Sequence, residues 1–173
     1  TATRVDEICE EAELTKGSFF HYFDTKEDIA KAALERFCEA GCQAMAGAPF
    51  NRMSDPLDRL HGFVDFFIEK SRSRKDPASC LIGNFSQELS KTHDDIRECC
   101  AERFEDCNKM MREMLNAAKS EYAPKSAVDT RALADYFWSL IQGSLLVSKA
   151  KKDRSLLGKN LKLFKNHLKI IFK

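Results

Sequence analysis

The sequence predicts an all-α protein, with an N-terminal helix-turn-helix followed by a larger helical bundle. Apolar residues recur every three or four positions along most of the chain, which is the period of one helix face. Strand-like alternation of apolar and polar residues is absent. The four prolines, Pro49, Pro56, Pro77 and Pro124, all fall between periodic segments, where helices begin or end.

The N-terminal elements follow from local signals. Val5–Ala12 predicts a short helix, and the turn at Glu13 and Leu14 leads into a second helix over Thr15–Phe23. The Thr15 hydroxyl can accept a free N–H of that helix's first turn. Thr25 and Asp28 resemble a capping box, which predicts that a longer helix starts there and ends near Pro49.

The rest of the chain predicts the bundle. A helix should start at Pro56 and carry Leu57, Leu60, Val64 and Phe67, and a polar break over 71–79 should follow it. Further apolar stripes predict helices over 81–89, 96–118, 133–145 and 161–171. We therefore place the domain boundary between residues 1–46 and 47–173.

Composition and charge limit the class of protein. No apolar run approaches the ~20 residues that a membrane-spanning helix needs. The seven cysteines lie mostly in helical patterns, which predicts reduced thiols in a cytoplasmic protein. Residues 1–46 hold ten acidic and five basic residues, whereas residues 149–173 hold nine basic and one acidic. A negative N-terminal segment is unfavourable for contact with nucleic acid phosphates.

The second short helix has the residue types that a DNA-reading helix needs. Gly17 and Ser18 are small at the first turn, where the backbone would approach DNA. His21 and Tyr22 can reach a phosphate or a base edge, and Phe19 can point back to the core with Phe23.

Residues Val5–Cys9 and Thr15–Asp28, the latter reading Thr-Lys-Gly-Ser-Phe-Phe-His-Tyr-Phe-Asp-Thr-Lys-Glu-Asp, resemble the signature of TetR-family repressors. Members of that family are all-α homodimers that read palindromic operators through a three-helix N-terminal module and bind an effector in a C-terminal bundle. The resemblance implies a transcriptional repressor that a small-molecule effector releases from double-stranded DNA. It implies no cofactor, no metal and no membrane partner.

The resemblance also implies which residues face DNA: Thr15, Lys16, Gly17, Ser18, Phe20, His21, Tyr22 and, at a phosphate, Lys26. The family usually has tyrosine at the position of Phe20, so one hydroxyl contact to the DNA backbone is missing here. The family's first helix precedes the segment that begins at Thr1. We therefore expect a longer chain, whose preceding helix would supply basic residues.

Two predictions concern the bundle. Large apolar residues with a few polar groups predict an effector site, and ordinary core packing is the alternative. The predicted effector set is Phe63, Phe66, Phe67, Phe85, Phe104, Met110, Met114, Trp138 and Gln142. The last two helices predict a dimer interface that packs as a four-helix bundle, and intramolecular packing is the alternative. The predicted interface residues are Leu140, Ser144, Leu145, Phe164, Leu168 and Ile171.

Cys80 is a candidate redox sensor. It precedes a predicted helix, whose dipole would favour the thiolate, and Arg72, Arg74 and Lys75 lie close in sequence. The segment that begins at Cys80 resembles the sensing position of some thiol-responsive TetR-type regulators. The alternative is a small buried hydrophobic residue.

Other classes have less support. Cys99, Cys100 and Cys107 could suggest a metal site with His93, but Cys100 and Cys107 are roughly 10 Å apart along a helix, too far for one zinc ion. The four histidines are scattered, and no nucleophile-base pair or phosphate loop indicates an enzyme. The lysine-rich C-terminus is a solvated helix face or a second nucleic-acid patch. A DNA-independent dimerisation module remains the alternative of another class.

Overall fold

The structure is a computed structural model that describes residues 3–73 and 79–173. Within these ranges the chain forms α-helices and one short 3₁₀ helix, Pro49–Arg52, and no strand. The helices are α1 (Val5–Glu11), α2 (Lys16–Tyr22), α3 (Lys26–Ala46), α4 (Pro56–Ser73), α5 (Leu81–Leu89), α6 (Asp94–Tyr122), α7 (Thr130–Lys151) and α8 (Leu156–Ile171). The predicted fold class and helix order are therefore confirmed.

Side-chain caps explain several helix boundaries. Thr25 and Asp28 form the predicted reciprocal box: the Asp28 N–H donates to Thr25 Oγ1 at 3.1 Å, and the Thr25 N–H donates to Asp28 Oδ2 at 3.0 Å. Asp55 accepts from the Asp58 N–H at 2.7 Å, directly before Pro56 begins α4. At the other end of α3, the Asn51 amide donates to the carbonyls of Met45 and Ala46.

The predicted break after α4 is only partly described. Helix α4 continues to Ser73, so the helix extends beyond the predicted start of the break at residue 71. Arg74, Lys75 and Pro77, on which part of the Cys80 prediction rests, lie outside the described residues.

The chain divides into two compact units. Unit 1 contains Thr1–Gln43 and Leu81–Arg103, and unit 2 contains Ala44–Cys80 and Phe104–Lys173. This division differs from the predicted boundary at residue 46, because α5 and the first part of α6 belong with the N-terminal helices. Such long-range grouping leaves no local signal in the sequence.

Unit 1 has a small core. Its buried apolar side chains come from α1, α2, α3, α5 and α6, so each helix of the unit contributes at least one: Cys9, Phe19, Leu34, Ile82, Ile96 and Cys100. The α1 and α2 helices pack directly on each other. This small core fixes how α2 is presented at the surface.

Unit 2 has the larger core, centred on α4, α7 and α8. Leu60, Phe63 and Val64 of α4 and Leu161 and Leu168 of α8 are fully buried. Each such side chain contributes about 1.5–3 kcal/mol to folding by leaving water. The Lys165 ammonium, 2.6 Å from Asp65 Oδ2, joins the edges of α8 and α4. In the described parts of the chain, no helix is long and apolar enough to cross a bilayer.

Candidate functional site

The start of α2 is built by its N-cap. Thr15 Oγ1 accepts a hydrogen bond from the Ser18 N–H at 3.1 Å and lies 3.1 Å from Ser18 Oγ. Thr15 itself is extended and ends the turn from α1, in which Glu13 adopts a left-handed φ of 54°. The predicted cap is therefore confirmed, and it satisfies one of the free N–H groups of the first turn.

One face of α2 is buried and the other is exposed. Phe19 is buried and packs edge-on against Phe20, with ring centroids 5.2 Å apart, and against Phe23 at 5.7 Å. Tyr22 is 76% exposed, and its ring contacts the ring of the exposed His21 at 4.8 Å. The helix therefore presents polar and aromatic groups to solvent while Phe19 anchors it.

Gly17 lies on the exposed part of α2. A Cβ atom built there would meet only Thr15 Oγ1, at an ordinary contact distance of 3.7 Å. The fold of unit 1 therefore does not require glycine at this position. A bound partner that approaches the backbone closely would require it.

Lys16 and Lys26 differ in their surroundings. The Lys16 ammonium is 2.8 Å from Asp6 Oδ1 of α1, and both side chains are more than half exposed. Lys26 is half-buried at the first position of α3. Lys16 therefore already has an acidic partner that would compete with a phosphate, and no local pattern in the sequence predicts this pair.

Unit 1 carries a net negative charge. Fifteen acidic and eight basic residues fall within Thr1–Gln43 and Leu81–Arg103, so the unit has a formal charge of −7. Unit 2 has the opposite sign, at +8. Contact with DNA at α2 therefore depends on a few local cations rather than on a broad positive field.

Ion pairs join α3 to the start of α6 inside unit 1. The Lys31 ammonium is 2.5 Å from Asp95 Oδ2, and this hydrogen bond lowers the pKa of Asp95 and raises the pKa of Lys31. His93 Nε2 is 3.3 Å from Glu27 Oε1, and Thr92 Oγ1 lies 2.7 Å from His93 Nδ1. His93 therefore contacts a carboxylate on the helix that follows α2.

The described residues contain no group of three or more histidine, cysteine or acidic side chains that could hold a metal ion. All seven cysteines are free thiols.

Unit 2 holds most of the predicted effector set. Phe63 and Met114 are buried, whereas Phe66, Phe67, Met110 and Trp138 are half-buried against the core. Phe67 contacts the Trp138 ring edge-on at 5.5 Å and the Phe66 ring at 5.4 Å. Phe104 and Gln142 are half-buried in the same unit.

Phe85, also predicted for this set, lies on α5 in unit 1. Periodicity alone could not separate it from the aromatic residues of unit 2.

The predicted dimer interface needs correction. Ser144, Leu145, Phe164 and Leu168 are buried within the core of a single chain, where they cannot contact a partner. Leu140 and Ile171 are half-buried and pack on that core. The large apolar side chains that α7 and α8 expose are different ones: Tyr136, Leu146, Val147, Leu163 and Ile170.

Cys80 lies directly before α5 and is half-buried against the core of unit 2. This placement agrees with the predicted position at a helix start. It also agrees with the alternative of a small apolar residue, so the role of Cys80 stays a prediction.

The short helices α1 and α2, joined by a tight turn and followed by an all-α bundle, define a helix-turn-helix transcriptional regulator. Comparisons with known proteins identify its family. The model for bacterial regulatory proteins of the tetR family matches residues 1–33, and the model for the tetracyclin repressor-like C-terminal domain matches residues 56–164. The chain belongs to the TetR family. It is a DNA-binding regulator and not an enzyme, as the sequence predicted.

Individual relatives agree with this assignment. The transcriptional regulator AcuR of Cereibacter sphaeroides is 28% identical over 163 residues, which cover 94% of this chain and 74% of AcuR. The crystal structure of regulatory protein TetR from Rhodobacter sphaeroides matches with a TM-score of 0.83 and 28% identity, over 96% of this chain and 88% of that one.

The repressor NemR of Escherichia coli is 28% identical over 97 residues, which cover 56% of this chain and 49% of NemR. The crystal structure of its reduced form matches 95% of this chain and 85% of NemR, with a TM-score of 0.79 and 22% identity.

Proposed function

We propose that the chain is a dimeric repressor that binds a palindromic operator in the cytoplasm through α2 and leaves it when a small molecule binds in unit 2. The observation that carries the proposal is the capped helix α2, which exposes Gly17, His21 and Tyr22 around an anchored Phe19. The predicted DNA-facing residues Thr15, Lys16, Ser18 and Phe20 belong to the same helix and its cap.

Gel-shift titration with DNA that flanks the protein's own gene tests operator binding. The full chain should shift one specific fragment, and His21→Ala should weaken that shift without changing the far-ultraviolet circular dichroism. Ser120→Ala is the control, because Ser120 is exposed on α6 in the other unit and outside the surfaces proposed for DNA and for the dimer. Absence of a specific shift at modest salt would favour a DNA-independent dimerisation module instead.

The dimer we propose uses exposed stripes on α7 and α8. These helices lie side by side, since the Asn160 amide donates to Ser144 Oγ at 2.9 Å and the Tyr136 ring lies 5.7 Å from the Phe164 ring. On α7 the dimer stripe contains Tyr136, Leu140, Gly143 and Val147, and on α8 it contains Leu163, His167 and Ile170. Both follow a spacing of three and four residues, which places each set on one helix face.

Leu163 and Ile170 are 67% and 64% exposed, an unusual state for two such side chains about two turns apart on one helix face. A Cβ atom at Gly143 would meet nothing within 4 Å, so a partner helix could approach there closely. A second copy of the chain would cover these residues and give the two DNA-reading helices that a palindrome needs.

Analytical ultracentrifugation tests this interface. Leu163→Glu should give a monomer, whereas Lys162→Glu, which places the same new charge on the neighbouring exposed position, should leave the dimer intact. A dimer in both variants would contradict the proposed stripe.

In a second candidate function the fold is the same, but the signal is a covalent modification of a cysteine. Cys80 lies at the start of α5 and against the core of unit 2, and the matched structure of NemR is described as its reduced form. We propose as the alternative that oxidation or alkylation of Cys80 releases DNA. Cys80→Ser should keep operator binding and lose the response to an oxidant, whereas Cys42→Ser, at an exposed thiol of α3, should respond like the parent chain.

A further inference from the structure

Four buried side-chain atoms of unit 2 have no hydrogen-bond partner among the described residues: His61 Nε2, Asn108 Oδ1, Trp138 Nε1 and Ser148 Oγ. Two of them, the indole N–H of Trp138 on α7 and the side-chain carbonyl oxygen of Asn108 on α6, lie on helices that a hydrogen bond joins. A buried donor or acceptor without a partner is costly to the folded state, so native proteins rarely keep one without a role.

Asp135 connects the two residues. The Asn108 amide nitrogen donates to Asp135 Oδ1 at 2.5 Å. Because a carboxylate can only accept, this bond fixes the nitrogen end of the amide on Asp135 and leaves the carbonyl oxygen as the open end. Asp135 is three residues before Trp138 on α7, so the two side chains are neighbours on one face of that helix.

Aromatic rings pack against the Trp138 end of this pair. The Trp138 ring contacts Phe67 at 5.5 Å and Phe137 at 5.1 Å, both edge-on. Phe104 is half-buried one turn before Asn108 on α6. A flat, unsaturated ligand would pack well against these rings, because ring edges and faces attract one another in this geometry.

The charge around the site favours an uncharged ligand. Asp135 is the carboxylate in direct contact with Asn108, so an anion placed beside the amide would meet a like charge. The nearby Arg112 guanidinium is directed to Glu105, 3.6 Å away on the same helix. The unpartnered atoms therefore fit a ligand that carries one acceptor and one donor. The acceptor would receive the indole N–H, and the donor would bind the amide oxygen.

We propose that Asn108 and Trp138 form the polar end of the effector site and select an uncharged planar carboxamide attached to an aromatic or conjugated group. The carbonyl of the ligand accepts from Trp138 Nε1, and its N–H donates to Asn108 Oδ1. This inference rests on the proposed function, since it names the chemistry of the effector for the same unit.

The chain contains one tryptophan, so fluorescence from selectively excited tryptophan reports on the surroundings of Trp138. The test titrates the full chain with benzamide and cinnamamide. Benzoate and cinnamate are the matched controls, because they have the same shape but carry a carboxylate, which accepts hydrogen bonds and cannot donate them. We expect saturable fluorescence changes in which each amide binds at least about tenfold more tightly than its carboxylate, the difference made by one good hydrogen bond. Equal or tighter binding of the carboxylates would overturn the proposal, and so would the absence of saturable binding by both amides.

Variants test the two named atoms. Asn108→Leu should weaken amide binding by about tenfold or more, because it removes the acceptor at nearly constant volume. Asn116→Leu, the same change at an exposed position of α6, should bind like the parent chain. Trp138→Phe keeps an aromatic ring without the N–H, and calorimetry replaces fluorescence for it. Parent-like amide binding by folded Asn108→Leu or Trp138→Phe would overturn the assignment.

The operator shift, measured in parallel, separates this inference from the function on which it rests. Amide binding that requires Asn108 supports the site even if DNA stays bound. A specific shift without any amide binding leaves the repressor intact and overturns the ligand chemistry.

Discussion

Gly17 separates the needs of folding from the needs of DNA binding. The fold leaves room for a Cβ atom there, and alanine is favoured over glycine in a helix by about 1 kcal/mol. Gly17→Ala should therefore unfold at the same or a higher temperature in a circular dichroism melt. Its operator affinity should fall, because the new methyl group occupies the space between the backbone and the DNA. Unchanged affinity would show that this part of α2 does not approach DNA closely.

Gly62 is required by packing instead. A Cβ atom there would lie 2.8 Å from Phe50 Cβ and 3.0 Å from the Met53 sulfur, so α4 or the Pro49–Arg52 turn must move. We expect Gly62→Ala to lower the free energy of unfolding by about 1–3 kcal/mol in a urea titration. Gly41→Ala is the matched control, because a Cβ atom at Gly41 of α3 meets nothing within 4 Å. Equal stability of the two variants would contradict this tight approach.

At the scale of elements, Asp6 links α1 to the DNA-reading helix. Because Asp6 competes with phosphate for the Lys16 ammonium, Asp6→Asn should bind DNA more tightly. One added phosphate contact should steepen the slope of log affinity against log salt by about 0.9. Glu10→Gln removes the same charge from α1 and serves as the control, with tighter binding but a smaller effect. Weaker binding by Asp6→Asn would mean that Asp6 mainly orients Lys16.

The α4–α8 contact should respond to pH through His61. Burial, together with Lys165 and Lys169 of α8, lowers the pKa of His61, while Asp58 and Asp65 of its own helix act in the opposite direction. The unfolded chain therefore binds a proton more readily, and the free energy of unfolding should fall as the pH drops below 6.5. His61→Gln should reduce this dependence in urea titrations at several pH values, whereas His21→Gln, at an exposed position of α2 in the other unit, should not.

Local signals in the sequence predicted the elements well. The caps at Thr15 and Thr25 depend on residues three positions apart, so the sequence contains all their parts. Helix α7 could not be oriented in the same way, because apolar residues lie on two of its faces. Leu145 is inside and Leu146 outside, and Ser144 is buried although it is polar. Only the neighbouring helices determine which face is covered.

For the candidate site, the sequence likewise predicted the local features but not the contacts between helices. The residues of α2 follow from its short motif, whereas the pairs Lys16–Asp6, Lys31–Asp95 and His93–Glu27 depend on how helices meet. The unpartnered atoms of Asn108 and Trp138 likewise emerge only when every neighbour is known.

For the whole molecule, the acidic charge of unit 1 predicts that the proposed dimer depends on binding at two sites. The residues of unit 1 have a charge of −7 and thus little non-specific attraction to phosphate, so we expect both copies of α2 to bind together. An operator cut to one half-site should bind at least about a hundredfold more weakly than the palindrome, since the second contact no longer benefits from its high effective concentration. Fluorescence anisotropy with both DNAs measures this ratio. Similar affinities would contradict binding as a dimer.

The pairs between α3 and the start of α6 have a consequence for how the regulator would operate in a living cell. Their side chains are between 31% and 50% exposed, so dissolved ions reach them and weaken the pairs. The strength with which these pairs hold α3 to the start of α6 therefore depends on ionic strength. Under the proposed function, a rise in salt inside the cell would therefore change the ligand concentration at which the repressor leaves DNA, without any change in the signal molecule itself.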